Sequence, residues 1–378
     1  MFAATYVFST AAGWDLEPDS RLDSSQTLVL LFADADRKKS RIQEELVRVA
    51  GLFPNSVVMG CSTAGEIYSD ELYDNSLVAA VIHFEHTRLK RVTRPIPSMH
   101  ESREVGRQVA SSLLADDLVA VFTLTDGLQL NGSAYVAGLD EVLPETVVTT
   151  GGMAADGERF QSTWVVAEGR SQSGMVVACG LYGDRIQVTH GSRGGWDLLG
   201  VDRRVTESRE NVLFTLDGKP ALALYKEYLG EMASGLPGSA LLFPLAIRDG
   251  DTDGMTVRTV LAVDEERQSI TFAGDVPEGA RVCLMRANFD RLIAGAGEAV
   301  ADMDLSGRGA GVCVAISCVG RRMVLGMRAE EELETVNESL PDDTPVVGFY
   351  SYGEISPLVG AGCSLHNQTM TLTLFHEI

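Results

Sequence analysis

Short apolar runs alternate with amphipathic segments along the first half of the chain. The runs are rich in β-branched and aromatic residues and have the length of buried strands. They cover residues 27–33, 77–84, 118–124 and 174–181. Strands that alternate with helices in this way predict an α/β architecture.

The segments between these runs have the period of helices that cover a sheet. In residues 36–50, the apolar side chains of Ile42, Leu46, Val49 and Ala50 recur at the spacing of one helix face. The other side of that helix is charged, so one face is expected to pack on a sheet. Comparable helices are predicted at 102–114, 221–229, 287–303 and 322–340.

The pattern changes around residues 170–260, where strands follow one another with few helices between them. These strands are predicted at 175–181, 186–190, 212–216, 241–247, 257–263 and 269–272. The sequence therefore predicts a mixed α/β sheet domain at 25–195 and a more antiparallel α+β domain at 196–378. The expected boundary between the two domains contains glycines at 191, 194, 195 and 200.

One ten-residue segment occurs twice. Residues 58–67 read VMGCSTAGEI and residues 346–355 read VVGFYSYGEI, so Gly60 aligns with Gly348 and Glu66 with Glu354. Each copy is expected to be a strand that ends in a glycine-bounded turn carrying an acid. The echo predicts pseudo-symmetry, with equivalent turns in two related halves that could face one cleft.

The charge of the chain limits its partners. There are 53 acidic and 31 basic residues, which gives a formal net charge of -22. Such a field repels phosphate backbones and anionic lipid head groups, so neither nucleic acid nor membrane is expected as a partner. No apolar run is long enough to span a bilayer, and no basic signal-peptide start is present. We expect a cytoplasmic location.

The sequence also carries a resemblance to a known family. Residues 60–67, GCSTAGEI, resemble the signature of the FIST N-terminal domain. Further similar motifs follow in chain order at Thr125-Asp126-Gly127, Gly151-Gly152, Asp156-Gly157, 216–222, 228–230, Ser317-Cys318, 348–357 and 366–369.

The resemblance implies a bacterial signal-transduction sensor that binds a small ligand. Some members of the family are stand-alone haemoproteins that sense nitric oxide and modulate a histidine kinase. We therefore expect haem b with nitric oxide as the ligand, and a histidine kinase or another signalling enzyme as the partner. The alternative is a module that binds an amino acid or another small metabolite without haem. A homodimeric assembly stays open.

The two echoed turns are the candidate ligand site. Cys61, Ser62 and Thr63 supply backbone N–H groups and hydroxyls suited to a carboxylate, and Glu66 suits an ammonium group. The alternative is that the glycines serve a tight turn and that Glu66 caps a helix.

The second turn is expected to contribute Tyr350, Ser351, Tyr352 and Glu354, whose tyrosines combine apolar area with polar tips. Asp126 follows a strand at the sheet edge where ligands usually bind, as does Asn131. For these two residues, a turn or helix cap is the alternative we favour.

Haem would need an apolar pocket and an axial ligand, which is most often histidine. We take His366 as the axial candidate because it lies in a family-like motif, although its ring can equally hold the local backbone. An enzyme is not expected. Residues 60–64 resemble a hydrolase elbow around Cys61 and Ser62, but Ala64 replaces the second glycine and no histidine is marked as a partner.

Overall fold

The computed structural model describes residues 1–36, 38, 40–248, 255–305, 311–357 and 362–378. Within these residues the chain forms four sheets and seven α-helices. The architecture is mixed α/β with an antiparallel sheet in the C-terminal half, as the sequence predicts.

The helices match the apolar periodicity, with three main differences. Helix α1 begins at Ser40 rather than at residue 36, and residues 37 and 39 of the prediction lie outside the described residues. Helix α3 was not predicted, and the predicted helix at 322–340 is divided at Gly326, whose φ of 56° interrupts helical geometry. No helix in the described part of the chain combines the length and apolarity required to cross a membrane. The helices are α1 (Ser40–Leu52), α2 (Ser102–Leu113), α3 (Gly132–Asp140), α4 (Ala221–Leu229), α5 (Phe289–Ala301), α6 (Val319–Leu325) and α7 (Ala329–Ser339).

The strand predictions are largely confirmed. The predicted strand at 257–263 is in fact two strands, which are separated at Thr259 and pair with different neighbours. The predicted strand at 241–247 is partly wrong, because a 3-10 turn occupies Gly238–Leu242 and the strand begins only after Pro244, which cannot donate to a sheet ladder. The strands are β1 (Phe2–Ser9), β2 (Gly13–Trp14), β3 (Thr27–Asp34), β4 (Val57–Thr63), β5 (Glu66–Tyr68), β6 (Glu71–Tyr73), β7 (Ser76–His83), β8 (Arg88–Pro95), β9 (Leu118–Thr125), β10 (Val148–Met153), β11 (Val165–Ala167), β12 (Arg170–Gln172), β13 (Met175–Tyr182), β14 (Ile186–Arg193), β15 (Asp197–Arg209), β16 (Val212–Leu216), β17 (Lys219–Pro220), β18 (Leu245–Arg248), β19 (Thr256–Arg258), β20 (Val260–Asp264), β21 (Ser269–Phe272), β22 (Arg281–Arg286), β23 (Val312–Cys318), β24 (Val346–Ser351), β25 (Gly353–Pro357), β26 (Cys363–His366) and β27 (Met370–Glu377).

Three of the sheets share one topology. Their four main strands are ordered β1-β7-β3-β4 in sheet 1, β8-β13-β9-β10 in sheet 2 and β14-β27-β23-β24 in sheet 3. In each sheet the last pair is parallel and the other neighbours are antiparallel. The chain therefore contains three structural repeats, at residues 2–83, 88–182, and 186–193 with 289–377.

Each repeat passes a short hairpin to a neighbouring sheet. The hairpin β5-β6 of repeat 1 pairs with β24 in sheet 3, and β11-β12 of repeat 2 pairs with β4 in sheet 1. The hairpin β25-β26 of repeat 3 pairs with β10 in sheet 2. The exchange is cyclic, so each sheet is completed by a strand from another repeat. Sheets 2 and 3 thus join segments from both predicted domains, and the division at residues 195 and 196 stays a prediction.

The three sheets enclose one apolar core. Alternate side chains of each central strand point inward, for example Phe32 from β3, Phe122 from β9 and Ile316 from β23, and all three are fully buried. The outer faces are covered by helices, with α1 on sheet 1, α2 and α3 on sheet 2, and α5 and α7 on sheet 3. Burial of both faces explains why the central strands read as continuous apolar runs.

A glycine occupies the same register position in all three parallel pairs. Gly60 lies opposite Leu31, and Gly348 lies opposite Ala315. A Cβ at these glycines would lie 1.9 and 1.7 Å from the facing carbonyl oxygens. Gly151 makes the equivalent approach, with a Cβ distance of 1.8 Å to the carbonyl oxygen of Thr123. Only glycine permits this approach between strands.

The fourth sheet is inserted into repeat 3. It spans residues 197–286, lies between β14 and α5, and has its own apolar core under α4. We call it the inserted sheet. Its order is β19-β18-β22-β15-β16-β21-β20, and all of these pairs are antiparallel.

Arg258 fastens the inserted sheet to the repeats. Its side chain is 6% exposed and donates to the carbonyl oxygens of Leu365 at 2.9 Å and Asp275 at 3.0 Å. Burial lowers the pKa of Arg258 to about 10. Asp275 also receives a bond from Asn131, at the start of α3. The inserted sheet is thus held against the ends of repeats 2 and 3.

Replacement of Gly348 by alanine tests the steric constraint. We expect Gly348→Ala to lower the free energy of unfolding by about 3 kcal/mol or more, because its Cβ meets backbone rather than a movable side chain. Urea denaturation measures the change. The control is Gly51→Ala in α1, where a Cβ meets nothing within 4 Å. That change should stabilise the protein by up to about 1 kcal/mol, and equal effects of both substitutions would contradict the account.

Candidate functional site

The three hairpins cross between sheets at one backbone junction. At this junction Ser62, Met153 and Tyr350 occupy equivalent positions. The N–H of Ser62 donates to the carbonyl of Trp164 at 2.9 Å, and that of Tyr350 donates to Gly65 at 2.9 Å. Met153 faces Gly353 in the same arrangement. The echoed segments are therefore two of three equivalent crossings, and both are buried.

Glu66 is enclosed by its own repeat. It is 1% exposed and receives hydrogen bonds from the hydroxyl of Thr63 and from the N–H and hydroxyl of Ser76 at 3.2 and 2.5 Å. Burial raises the pKa of Glu66 to about 8. Since Ser76 begins β7, this carboxyl group joins the exchanged hairpin to the strand that closes repeat 1.

Glu354 makes the matching bonds in repeat 3. It is fully buried and receives hydrogen bonds from the hydroxyl of Ser351 at 2.6 Å and from the N–H and hydroxyl of Thr369 at 3.2 and 2.9 Å. Burial raises the pKa of Glu354 to about 8 as well. Thr369 precedes β27, as Ser76 stands at the start of β7.

Repeat 2 uses Asp126 for the same purpose. Its carboxylate accepts from the hydroxyl of Thr163 at 2.6 Å and from the N–H of Gly174 at 2.8 Å, just before β13. It also accepts from the N–H groups of Leu128 and Gln129. Asp126 is therefore the centre of a turn. Asn131 caps α3 through its side-chain oxygen, which agrees with the turn or helix cap that we favoured for these two residues.

The remaining residues of the two turns are also buried. Cys61 faces the common core, and burial raises the pKa of its thiol. Tyr350 donates from its hydroxyl to Glu332 at 2.9 Å, and Glu332 is ion-paired with the fully buried Arg321. Burial raises the pKa of Tyr350. These polar atoms have partners inside the protein.

Tyr352 and Asn131 are the predicted candidates that line a large cavity in the described part of the chain, and Tyr352 forms part of its wall. Its ring stacks on Phe160, with centroids 4.7 Å apart and planes 6° apart. Its hydroxyl donates to the carboxylate of Asp156 and the carbonyl of Gly157. The loop of repeat 2 that crosses between sheets is thereby fixed over the cavity. Ligand contact by the other predicted site residues remains a prediction.

The cavity, which we call the interface cavity, lies between repeats 2 and 3 and the inserted sheet. Its volume is about 350 Å³, which suits a small molecule. One wall comes from segments that follow β9 and β23, including Leu128 and Val319. The opposite wall comes from the inserted sheet, including Val260 and Phe272. The first wall therefore lies at the carboxyl ends of β9 and β23, each of which belongs to a parallel pair. Ligands of α/β sheets usually bind at such strand ends.

The lining is apolar with few polar groups. The hydroxyl of Thr259 is buried, and it has no hydrogen-bond partner within the described residues. Thr259 is 6% exposed, so an unsatisfied hydroxyl there is costly. Met99, Met153 and Met323 add sulfur atoms that adapt to ligands of different shape.

His366 bonds to the local backbone, and its role as a haem ligand stays a prediction. Its ring is fully buried in the hairpin β25-β26, and Nε2 lies 3.1 Å from the carbonyl oxygen of Ser356. Burial lowers its pKa to about 4. No histidine is found among the described residues that line the interface cavity. His100 stands beside the cavity residue Met99 but is largely exposed. No group of three or more metal-ligating side chains occurs in the described ranges.

The cavity residues carried little sequence signal. Thr259, Val260 and Phe272 come from the inserted sheet, and Leu128 and Val319 come from turns far apart in the chain. The sequence signals that pointed to this cavity were Tyr352, which was predicted to line a pocket, and the position of Asp126 and Asn131 after a strand.

The two buried carboxyl groups predict a pH dependence. Their pKa is about 4.5 when unfolded and about 8 when folded, so the folded protein retains protons that the unfolded chain loses. Stability is therefore greatest below pH 4.5 as far as these groups contribute, and it falls as pH rises toward 8. Each group contributes a slope of about 1.4 kcal/mol per pH unit in that window.

Glu66→Gln mimics the protonated acid, and the variant should lose less stability than the parent between pH 5 and 8. Urea denaturation at several pH values measures this. Glu145→Gln, at an exposed side chain, is the control and should leave the slope of stability against pH in that window unchanged. A parent whose stability rises across the window through Glu66 would contradict the assignment.

Comparison with known proteins identifies the family. The FIST N domain model matches residues 27–219, and the FIST C domain model matches residues 221–357. An uncharacterised protein of Methanocaldococcus jannaschii is 22% identical over 312 residues, which cover 74% of this chain and 58% of that protein. FIST domains are signal-transduction sensory domains that bind small ligands. The chain belongs to the FIST family.

Proposed function

We propose that the interface cavity is the ligand site of this sensor. The observation that carries the proposal is an apolar cavity with a buried hydroxyl at Thr259 that has no hydrogen-bond partner among the described residues. A ligand with one polar group could bond to that hydroxyl and fill the apolar volume. Repeats 2 and 3 and the inserted sheet would then contact the same molecule.

The lining favours an uncharged or singly charged molecule with an aromatic or branched aliphatic body. Phe160 and Tyr352 present stacked rings, and Leu128 and Val260 add aliphatic surface. Glu210 is the charged side chain among the described lining residues, and it suits an ammonium group. An apolar amino acid or related metabolite therefore fits better than a polyanion.

Ligand binding would alter the position of the inserted sheet. The ligand would bridge parts of the protein that are otherwise joined through contacts such as those of Arg258. If the ligand binds one position of the inserted sheet tenfold more tightly than another, it shifts the equilibrium between these two positions by about 1.4 kcal/mol. A signalling enzyme that contacts the inserted sheet would read this change. A histidine kinase is the proposed partner, and no catalysis by this chain is expected.

Haem with nitric oxide is the second ligand hypothesis. It rests on the resemblance to haemoprotein sensors of the family. His366 would have to leave the carbonyl of Ser356 to bind iron. We therefore rank haem below the apolar metabolite.

A cavity-filling substitution tests the site. Leu128→Trp places a larger side chain in the interface cavity, and we expect it to weaken binding of 8-anilinonaphthalene-1-sulfonate at least about tenfold. Fluorescence titration measures this affinity. The control is Leu198→Trp, at a half-exposed strand position away from the cavity, which should change the affinity less than twofold.

The natural ligand class follows from a thermal-shift screen of apolar amino acids and aromatic acids. A stabilising compound should lose its effect in Leu128→Trp and lose part of it in Thr259→Val. Circular dichroism confirms that both variants are folded. Equal stabilisation of the parent and Leu128→Trp would place the ligand elsewhere.

The haem hypothesis can be tested on the same protein preparations. Protein from cells supplied with a haem precursor is examined by absorption spectroscopy, with and without nitric oxide. A stoichiometric haem band that His366→Ala abolishes in folded protein would contradict the proposal of an apolar metabolite. We expect no such band.

A further inference from the structure

Three arginines lie side by side on one face of the inserted sheet. Arg281 in β22 is directly opposite Arg204 in β15 and directly opposite Arg248 in β18. Directly opposed residues of antiparallel strands point to the same side of the sheet. Like charges at such positions repel each other and destabilise a sheet, so this row needs a compensating interaction.

The acidic neighbours compensate only part of this charge. Arg248 is paired with Asp202 at 3.1 Å, and Arg203, next to the row, is paired with Asp217 at 3.1 Å. The guanidinium groups of Arg204 and Arg281 have no hydrogen-bond or ion-pair partner among the residues that the structure describes. Both side chains are exposed. Two adjacent guanidinium groups are thus available to an anion.

The arginines surround an open cleft of about 460 Å³, which we call the arginine cleft. Four arginines and two aspartates line it, together with Gly279. The chain as a whole has a net charge of -22, so a locally positive cleft contrasts with the rest of the surface. It shares no lining residue with the interface cavity.

We propose that the arginine cleft is a binding site for a phosphate group. A guanidinium group donates two parallel hydrogen bonds to phosphate oxygens, and two adjacent guanidinium groups match the charge of a phosphate dianion. The bound dianion would neutralise the repulsion between Arg204 and Arg281. The remaining negative charge of the chain would keep extended polyanions away, so a small ligand is favoured over nucleic acid.

The proposal does not depend on the ligand of the interface cavity. The cleft lies on strands β15, β18 and β22, and the interface cavity contacts other parts of the same sheet. Phosphate bound in the cleft would stiffen these strands and stabilise the inserted sheet. The sensor would then respond to two ligands of different chemistry.

Titration of the whole chain with inorganic phosphate tests the site. At the same ionic strength, phosphate should raise the thermal unfolding midpoint over chloride by more in the parent than in Arg281→Gln. A bound ion stabilises the folded state, whereas general exclusion of phosphate from the surface acts equally on both proteins. We expect Arg281→Gln and Arg204→Gln each to weaken phosphate binding, measured by calorimetry, at least about tenfold.

The control is Arg209→Gln on the same strand as Arg204 but outside the cleft. It removes the same charge and should leave phosphate affinity within about twofold of the parent. In low-salt chloride, Arg281→Gln should unfold at the same or a higher temperature than the parent, because one repulsive neighbour is gone. This second measurement distinguishes a binding role from a role in stability.

One further probe, phenyl phosphate, defines the chemistry of the ligand. Phenyl phosphate that binds more tightly than inorganic phosphate supports a phosphomonoester as ligand, and the reverse order supports free phosphate. The proposal is overturned if phosphate stabilises Arg281→Gln over chloride as much as it does the parent, or if Arg209→Gln weakens binding as much as Arg281→Gln.

Discussion

The fold depends on the close approach of two parallel strands at one glycine in each repeat. Gly60, Gly151 and Gly348 each lie against a backbone carbonyl where a Cβ would be less than 2 Å away. This approach lets the chain leave its own sheet at the junction and enter the next one. The three sheets can then exchange hairpins and bury their inner faces in one core. A side chain at any of these positions would separate the pair where the exchange begins.

The family motif of the first repeat is explained by this junction. Gly60 permits the approach, and Ser62 bonds to the crossing backbone at Trp164. Glu66 ties the hairpin to β7 through Ser76. Repeat 3 does the same with Glu354 and Thr369. The conspicuous motifs therefore serve the architecture, and the candidate ligand site lies at the strand ends that this architecture brings to the inserted sheet.

Sequence patterns predicted the elements better than their assembly. Buried runs such as residues 27–33 and 118–124 and the amphipathic helix at 36–50 were recognised because burial dictates their composition. The echo between Gly60 and Gly348 identified two of the three repeats. The second repeat was missed because its crossing loop replaces the Gly-Glu pair with a longer segment, and Asp126 supplies its carboxylate from another strand.

The candidate site was less accessible to such patterns. The interface cavity is formed by single residues from distant segments, such as Leu128, Thr259 and Val319, whose types are those of any apolar surface. The arginine cleft depends on the register of three strands, which aligns Arg204, Arg248 and Arg281. Neither register nor hairpin exchange can be read from a local window, because both are set by tertiary pairing.

Hydrogen–deuterium exchange with the most stabilising apolar compound tests the central claim most directly. If the ligand binds between the repeats and the inserted sheet, exchange should slow on both walls of the interface cavity, at residues 127–132 and at 259–261 and 272–274. Protection confined to one wall, or to the junction around Ser62 and Tyr350, would contradict a ligand that couples the inserted sheet to repeats 2 and 3.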